Sequence, residues 1–201
     1  MARWDPLHVE DCDPDPRVQF ARWFDEGAVM VDHEAVALVT ATPDGAPSAR
    51  MVLLRHRDAH SIGWYTNYES VKGRQLAANP VAAVLWYCEP LGRQVRFEGP
   101  VTLMSDEESD DYFARRPRGH QIGAHASRQS EPLASRAELE ARVASLEAHY
   151  AGRDVPRPAN WGGHRLTPTF VEFFQQRADR LHDRVWYTRA GGTWRIERHY
   201  P

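Results

Sequence analysis

Residues 34–55 read EAVALVTATPDGAPSARMVLLR, and this stretch determines the fold. A continuous apolar run is followed by the turn Pro43-Asp44-Gly45 and then by a second apolar run. The pattern predicts two strands, Glu34–Thr42 and Ser48–Arg55, joined as a hairpin. Side chains alternate along a strand, so one face of the second strand would carry Arg50, Val52 and Leu54, and the other Met51, Leu53 and Arg55.

Further strands follow this hairpin. Ile62–Asn67, Val81–Cys88 and Gln94–Met104 are apolar or alternating, which gives five strands in about one hundred residues and predicts a small antiparallel barrel. Trp161-Gly162-Gly163 opens the last strands. The chain should end in a hairpin that joins Val185-Trp186-Tyr187 to Thr193–Ile196 through Ala190-Gly191-Gly192. The fold class is therefore mainly β with some α.

Helix-capping patterns occur on both sides of these strands. Asp15-Pro16 predicts a helix over Pro16–Glu26, and Ser70 a short helix with Lys72 in its first turn that stops before Asn79-Pro80. Ser105 begins a capping box for a helix that ends near Arg116-Pro117. Ser135 caps another helix, whose apolar face is predicted to pack in the core: Leu139, Val143, Leu146 and Tyr150.

Length and composition limit the organisation and the possible partners. The 201 residues, 42% of them hydrophobic, can bury one core, so residues 15–201 are predicted to form a single domain preceded by an Asp- and Pro-rich arm or disordered start, 1–14. No run of 18 apolar residues and no signal peptide occur, and Cys12 and Cys88 form no CxxC pair, which together predict a reduced, cytoplasmic protein. A net charge of -3 gives no reason to expect nucleic acid.

Several common catalytic motifs are absent from the sequence. There is no GxGxxG, no Walker lysine loop and no GxSxG, and His33-Glu34 lacks the second histidine of a zincin helix. The ten histidines are scattered, so no metal site is predicted.

Cationic residues on several elements suit phosphate. Arg180-Leu181-His182-Asp183-Arg184 lies between two aromatic runs that favour an extended chain, in which Arg180, His182 and Arg184 would share one face. Taken alone, the pentapeptide favours a solvated strand face, and the rest of the chain shifts the interpretation toward phosphate. Other candidates are spread along the chain: Arg50, Arg55, Lys72 (the only lysine), Arg116 and Arg118. Two phosphates could be bound, and the nearby aromatic residues suit a flat heteroaromatic ligand.

The chain resembles the pyridoxine/pyridoxamine 5'-phosphate oxidase family from about Asp15 to Pro201. The matching motifs are Arg50–Arg55, Tyr65-Thr66-Asn67, Arg93-Gln94-Val95, Tyr112-Phe113 with Arg116-Pro117-Arg118, Gln121–Ala124, Ser127–Ser130, Trp161-Gly162-Gly163 and Arg180–Arg184. The resemblance implies an FMN-binding split β-barrel with surrounding helices that works as a homodimer, with FMN at the subunit interface.

The resemblance also implies site residues. Those that match FMN contacts are Arg50, Met51, Val52, Leu53, Leu54, Arg55, Tyr65, Thr66, Lys72, Gln94, Gln129, Ser130, Phe174 and Arg184. Those that match substrate contacts are Arg55, Tyr112, Arg116, His120, Arg180 and His182. Of these, Arg180 and His182 would be catalytic, since they would orient the substrate and His182 could exchange a proton near neutral pH.

The implied reaction is oxidation of pyridoxamine or pyridoxine 5'-phosphate to pyridoxal 5'-phosphate, with O2 as the acceptor and H2O2 as a product. Four positions depart from the family's usual residues: Arg55 for Lys, Val71 for a phosphate-binding Arg, Phe174 for Trp and His120 for a small Ser. Two alternatives therefore stay open. One is a related FMN oxidase of secondary metabolism of the phenazine-biosynthesis type, and the other is a split-barrel protein that binds flavin or haem without turnover.

Overall fold

The computed structural model describes residues 5–29 and 33–201. The strands in these ranges are β1 (Ala35–Ala41), β2 (Pro47–Leu53), β3 (His56–Arg57), β4 (Ile62–Asn67), β5 (Val81–Cys88), β6 (Arg93–Leu103), β7 (Trp161–Leu166), β8 (Phe170–Gln175), β9 (Asp183–Ala190) and β10 (Thr193–His199). The helices are α1 (Pro16–Ala28), α2 (Val71–Ala78), α3 (Asp106–Ala114), α4 (Arg118–Ala126) and α5 (Arg136–His149).

The strands form one antiparallel sheet that curls into a split barrel. Its main path runs β10-β9-β8-β6-β5-β1-β2, and a branch runs from β6 through β7 and β4 to β3. The long strand β6 belongs to both the main path and the branch, since residues 93–98 pair with β8 and residues 101–103 pair with β7. The change of partner falls at Gly99, where a Cβ atom would lie 2.2 Å from the Thr167 carbonyl oxygen. The predicted split barrel is confirmed.

The barrel interior is filled by the inward side chains of the alternating strands. Val95 and Phe97 of β6 are buried, while Gln94 and Arg96 point to the other face. Helix α1 closes one end of the barrel with Phe20, Trp23 and Phe24. A second, smaller cluster lies outside the barrel, between α3, α4 and β7: Phe113, Ile122, Val155 and Trp161.

The predicted helix starts are confirmed. Asp15, Ser70, Ser105 and Ser135 each accept a backbone N–H in the first turn of their helix, and Ser105 forms the full capping box with Glu108. Helix α4 was not predicted, because it follows Pro117 directly and contains Gly119 and Gly123, both poor helix formers. The core face predicted for α5 is only partly present, since no residue of α5 is fully buried.

The extended conformation predicted for Arg180–Arg184 is wrong in its first half. β8 and β9 form a hairpin in which Gln175 pairs with Asp183, so residues 176–182 must make the connection. Ala178–Arg180 forms a 3-10 turn there, and Asp179 and Arg180 have positive φ values of 55° and 63°. Arg180 and His182 therefore do not share a strand face with Arg184. The hairpin between β9 and β10 is confirmed.

The described part of the N-terminal segment lies against β9 and β10. The Leu7 N–H donates to Asp183 Oδ2 at 3.0 Å, and Arg198 donates to both Asp183 Oδ1 at 2.6 Å and the Leu7 carbonyl at 2.7 Å. Tyr187 donates its hydroxyl to the Asp13 carbonyl at 2.8 Å. The division of the chain into an arm, 1–14, and a domain, 15–201, stays a prediction.

Candidate functional site

A cleft of about 990 Å³ opens along the outer edge of β2. Because β2 ends the main path of the sheet, backbone groups on its free side have no strand partner in the described part of the chain. The cleft gathers thirteen of the predicted site residues: Arg50, Met51, Val52, Leu53, Arg55, Tyr65, Thr66, Lys72, Tyr112, Arg116, His120, Gln129 and Ser130. They come from β2, β4, α2, α3 and α4, from the connections after β2 and α3, and from the segment after α4.

One end of the cleft holds Lys72 and Arg50. Lys72 is only 7% exposed, and its Nζ donates to two neutral acceptors, Ser70 Oγ and Gln129 Oε1, each at 3.2 Å. Arg50 donates to Thr40 Oγ1 at 2.7 Å and to the Leu38 carbonyl at 3.2 Å. Burial, together with the Arg50 charge, lowers the pKa of Lys72 to about 8. Two cations with neutral partners form a site for an anion.

The start of α2 and the segment after α4 complete this end. Thr66 Oγ1 donates to Gln129 Oε1 at 3.2 Å, and the Val71 N–H donates to Ser130 Oγ at 3.2 Å. Ser130 has φ 77°, an uncommon value for a residue other than glycine. The positive end of the α2 dipole adds to the field of Lys72. Val71 itself lines the cleft but brings no charge.

The other end of the cleft is aromatic and carries Arg116. The rings of Tyr65 and Tyr112 are stacked with centroids 3.8 Å apart and planes 4° apart. The Arg116 guanidinium lies 4.5 Å from the centroid of the Trp161 ring, and its Nη1 is buried with no hydrogen-bond partner in the described structure. Burial lowers the pKa of Arg116. His120, in the first turn of α4, is exposed beside it.

Two predicted residues at the end of β2 are placed differently from the rest. The Leu54 side chain is buried in the core, so it does not reach the cleft. Arg55 lines the cleft but forms an ion pair with Glu34. The proposed ligand contacts of both residues stay predictions.

The remaining predicted residues lie together outside the cleft of this chain, and we call them the C-terminal group: Gln94, Phe174, Arg180, His182 and Arg184. Gln94 pairs with Phe174 and Phe174 with Arg184, so these three side chains form one row across β6, β8 and β9. The His182 ring lies 4.8 Å from the Phe174 ring, and its Nδ1 accepts the Arg177 N–H at 3.0 Å. Arg184 Nε donates to Glu172 Oε1 at 2.5 Å.

The residues of the cleft fit FMN. An orphaned buried guanidinium nitrogen, a buried lysine with neutral partners and a stacked aromatic wall are the groups that a phosphorylated flavin and a second phosphorylated ring would require. Sequence reasoning missed Trp161 as a lining residue, although Trp161-Gly162-Gly163 was visible as a motif. Arg115 and Pro117 also line the cleft.

Neither a metal site nor a membrane-spanning helix is found in the described ranges. No group of three or more His, Cys, Asp or Glu residues in 5–29 and 33–201 could hold a metal ion. Within the same ranges, no helix has the length and the apolar character needed to cross a membrane. The fold and the cleft together define a split-barrel protein with a site suited to phosphorylated ligands.

Comparison with known proteins identifies the family. A family model described as pyridoxamine 5'-phosphate oxidase matches residues 28–150, and one described as the pyridoxine 5'-phosphate oxidase C-terminal dimerisation region matches residues 161–201. The pyridoxine/pyridoxamine 5'-phosphate oxidase of Rubrobacter xylanophilus is 54% identical over 197 residues, which cover 97% of this chain and 91% of that protein. The chain belongs to the pyridoxine/pyridoxamine 5'-phosphate oxidase family.

Two solved structures are similar. PhzG from Burkholderia lata 383, in complex with tetrahydrophenazine-1-carboxylic acid, has a TM-score of 0.93 and 32% identity over 99% of this chain and 100% of that one. A pyridoxamine 5'-phosphate oxidase-related, FMN binding protein from Nostoc punctiforme has a TM-score of 0.73 at 19% identity, over 92% of this chain and 96% of that one, which supports the fold alone.

Proposed function

We propose that this chain is an FMN-dependent oxidase that converts pyridoxamine or pyridoxine 5'-phosphate to pyridoxal 5'-phosphate, with O2 as the acceptor and H2O2 as a product. One observation carries the proposal: two separate cationic positions lie in the same aromatic-lined cleft. Lys72 and Arg50 donate only to neutral acceptors, Arg116 lies over the Trp161 ring, and none of the three forms an ion pair in the described part of the chain. The Tyr65–Tyr112 stack also lines the cleft. Such an arrangement suits two phosphorylated rings bound side by side.

Each residue has a defined task in this reaction. Lys72 and Arg50 bind the cofactor phosphate, assisted by Ser130 and Gln129, and Tyr112 and Arg116 bind the substrate phosphate. FMN, when bound, supplies a two-electron redox centre that oxygen can reoxidise. The protein holds the substrate ring in register and excludes water.

Arg180 and His182 are proposed to act at the substrate carbon that is oxidised. Arg180 orients the substrate by hydrogen bonding, and His182 presents its Nε2–H to the substrate as a hydrogen-bond donor, because its Nδ1 already accepts the Arg177 N–H. In a single chain these residues lie outside the cleft. They can act there only if a second copy brings its own C-terminal group to the cleft of the first.

An exposed apolar face supports this homodimer. The outer side of β2, β1 and β5 carries large hydrophobic residues in water, among them Met51, 63% exposed, and Tyr87, 52% exposed. Leu181, between Arg180 and His182, is 70% exposed. Large apolar patches of this kind mark protein interfaces. The face continues into β6 and β8, next to the C-terminal group, and β8 lies in the region that matches the dimerisation model.

An aerobic assay tests the proposal. The purified protein, loaded with FMN, is mixed with pyridoxamine 5'-phosphate, and formation of pyridoxal 5'-phosphate and H2O2 is followed together. We expect the two products in equal amounts and a much lower kcat/KM with pyridoxamine, which lacks the phosphate that Arg116 would bind. If the FMN-loaded protein oxidises neither the phosphorylated nor the free substrate, the proposal is wrong.

A second candidate is an oxidase of reduced phenazine carboxylates. It is favoured by the close structural match to PhzG and by His120, whose exposed imidazole lines both the cleft and an adjoining cavity of about 510 Å³. The same assay with a reduced phenazine carboxylate in place of pyridoxamine 5'-phosphate distinguishes the two. A protein that binds flavin or haem without turnover would oxidise neither compound.

A further inference from the structure

Trp161 is the first residue of β7 and is held in place from two sides. Its N–H donates to the Pro158 carbonyl at 3.0 Å, and its carbonyl accepts from Arg157 Nη1 at 2.7 Å. Arg157 also donates to Asp106 and Asp110 of α3, at 2.7 and 2.6 Å. The backbone of Trp161 is thereby tied to the helix that carries Tyr112.

The ring of Trp161 supports the aromatic end of the cleft. It is 6% exposed and lies nearly parallel to Tyr65 and Tyr112, with centroids 5.6 and 6.2 Å away and planes 11° and 10° apart. The Arg116 guanidinium lies 4.5 Å from the ring centroid, within the range of a cation–π interaction. Phe113 packs edge-on against the same ring at 5.1 Å.

The Arg116 side chain is held by different contacts from those of Arg157 and Arg165. Arg157 and Arg165 form ion pairs with carboxylates of α3, Asp106, Asp110 and Glu108. Arg116 forms no ion pair with a carboxylate in the described part of the chain. An aromatic face stabilises a guanidinium without using its N–H groups, whereas a carboxylate would occupy them and neutralise the charge. The buried Nη1 of Arg116 is accordingly still without a partner.

We infer that Trp161 is a positioning residue for recognition of the substrate phosphate: it holds Arg116 by its ring so that the guanidinium donors stay available to the anion. This inference rests on the proposed function. It assigns Trp161 a task beyond packing, because an apolar residue of equal size would fill the space but would not hold the charge in place.

The test is a series at position 161 in the FMN-loaded protein, Trp161→Phe and Trp161→Met, assayed with pyridoxamine 5'-phosphate and with pyridoxamine. We expect KM for the phosphorylated substrate to rise roughly 2- to 5-fold in the Phe variant and 5- to 30-fold in the Met variant, since tryptophan gives the strongest cation–π interaction. The kcat, the bound FMN and the KM for pyridoxamine should stay within about twofold.

Tyr150→Leu is the matched control. Tyr150 packs against the same small cluster and its ring contacts Arg153, not Arg116, so this variant removes a cation–π pair without touching the cleft. We expect its KM for both substrates to match that of the wild type. The comparison separates a general loss of packing in this cluster from the loss of support for Arg116.

Two results would overturn the inference. In one, KM rises equally for the phosphorylated and the free substrate. In the other, the Phe variant behaves as the wild type while FMN content and thermal stability fall in the Met variant, as a packing role alone would give. If the Met variant does not fold, the Phe variant still tests the inference, through a rise in KM for the phosphorylated substrate but not for pyridoxamine. A wild-type protein that oxidises neither substrate refutes the proposed function instead, so the two failures are distinct.

Discussion

The cleft and the C-terminal region lie on the same barrel but satisfy their cations in opposite ways. In the cleft, Lys72 and Arg50 donate to neutral acceptors, and Arg116 lies over the rings of Trp161 and Phe113. In the C-terminal region, Arg184 is paired with Glu172 and Arg198 with Asp183. These three cations of the cleft are uncompensated in the described part of the chain, whereas Arg184 and Arg198 are neutralised by carboxylates of the same chain.

The ion pairs of the Glu172 carboxylate show how charge neutralisation within the chain fixes side-chain geometry. Its side chain is 5% exposed and joins Arg184 Nε at 2.5 Å to Arg96 Nη2 at 2.7 Å. Burial raises the pKa of Glu172, but the hydrogen bonds from Arg184 and Arg96 outweigh burial and leave the pKa below its ordinary value. Three residues on three strands are thus fixed in one geometry.

The difference supports the proposal that the cleft binds the anions. A buried charge without a counter-ion destabilises the folded chain, so it persists where a ligand supplies the missing charge. A paired charge fixes side-chain geometry and fits a surface that must keep its shape when it docks. We therefore expect changes in the cleft to alter ligand affinity, and changes at Arg180 or His182 of the C-terminal group to alter turnover.

Arg180→Ala should produce the largest effect. We expect kcat to fall about 100- to 1,000-fold, the loss typical when one group that stabilises a transition state is removed. The amount of FMN retained should stay within about twofold. The kcat from the aerobic assay and the flavin absorbance of the purified protein measure the two quantities. Arg189→Ala, at the far end of β9, is the control and should change neither. A loss of bound FMN in parallel with the fall in kcat would contradict the assignment of Arg180 to turnover and not to FMN binding.

Mixing two inactive variants tests whether the regions meet across two chains. Arg116→Ala damages only the cleft and Arg180→Ala only the C-terminal group, so a mixed dimer has one fully intact site. With random exchange, half of the dimers are mixed, and activity should return to roughly a quarter of the wild-type value. Subunits are exchanged under mild denaturant and then assayed.

A mixture of Arg116→Ala with Tyr112→Ala serves as the control for this exchange. Both changes lie in the cleft, so every site in a mixed dimer is damaged and activity should not exceed the average of the two variants. Activity that stays low in both mixtures, although exchange has occurred, would show that each chain forms its site alone.

The barrel could be predicted because its strands obey a local rule. In β5 and β6 apolar residues either run continuously or alternate, and each strand is followed by a turn or a capped helix. Helix caps at Ser70, Ser105 and Ser135 are equally local. Such patterns need only neighbouring residues, so one sequence is enough to find them.

What could not be predicted from the sequence concerns residues whose conformation or partners are set by distant parts of the chain. Nothing local shows that Gln175 pairs with Asp183, and this pairing forces Arg180 into a turn with positive φ. The neutral surroundings of Lys72 arise from Gln129, 57 residues away. The stacking of Trp161 on Arg116 likewise joins β7 to the end of α3. The cationic residue types could be recognised in the sequence, whereas their partners could not.

Lys72→Ala should weaken FMN binding about 10- to 100-fold, which corresponds to the loss of one charge-assisted hydrogen bond. At saturating FMN the kcat should stay near the wild-type value, because Lys72 is assigned to the cofactor phosphate and not to the substrate. Titration of the apoprotein with FMN, followed by flavin fluorescence, gives the dissociation constant. Lys72→Arg keeps the charge and should lose much less affinity. A large fall in kcat at full flavin occupancy would contradict the assignment of Lys72 to the cofactor phosphate.

The smallest effect is a dependence of FMN affinity on pH. Burial and Arg50 lower the pKa of Lys72 to about 8 in the free protein, so Lys72 is charged at pH 7 and mostly neutral at pH 9. A phosphate that is fully ionised above pH 7 favours the charged form and raises that pKa in the complex. Affinity should therefore be highest below pH 8 and fall about tenfold by pH 9. In Lys72→Arg the charge persists throughout, so its dissociation constant should be flat over the same range. An equal slope in both proteins would place the titrating group elsewhere, and a flat wild-type curve would mean that no cation in the cleft loses its proton below pH 9.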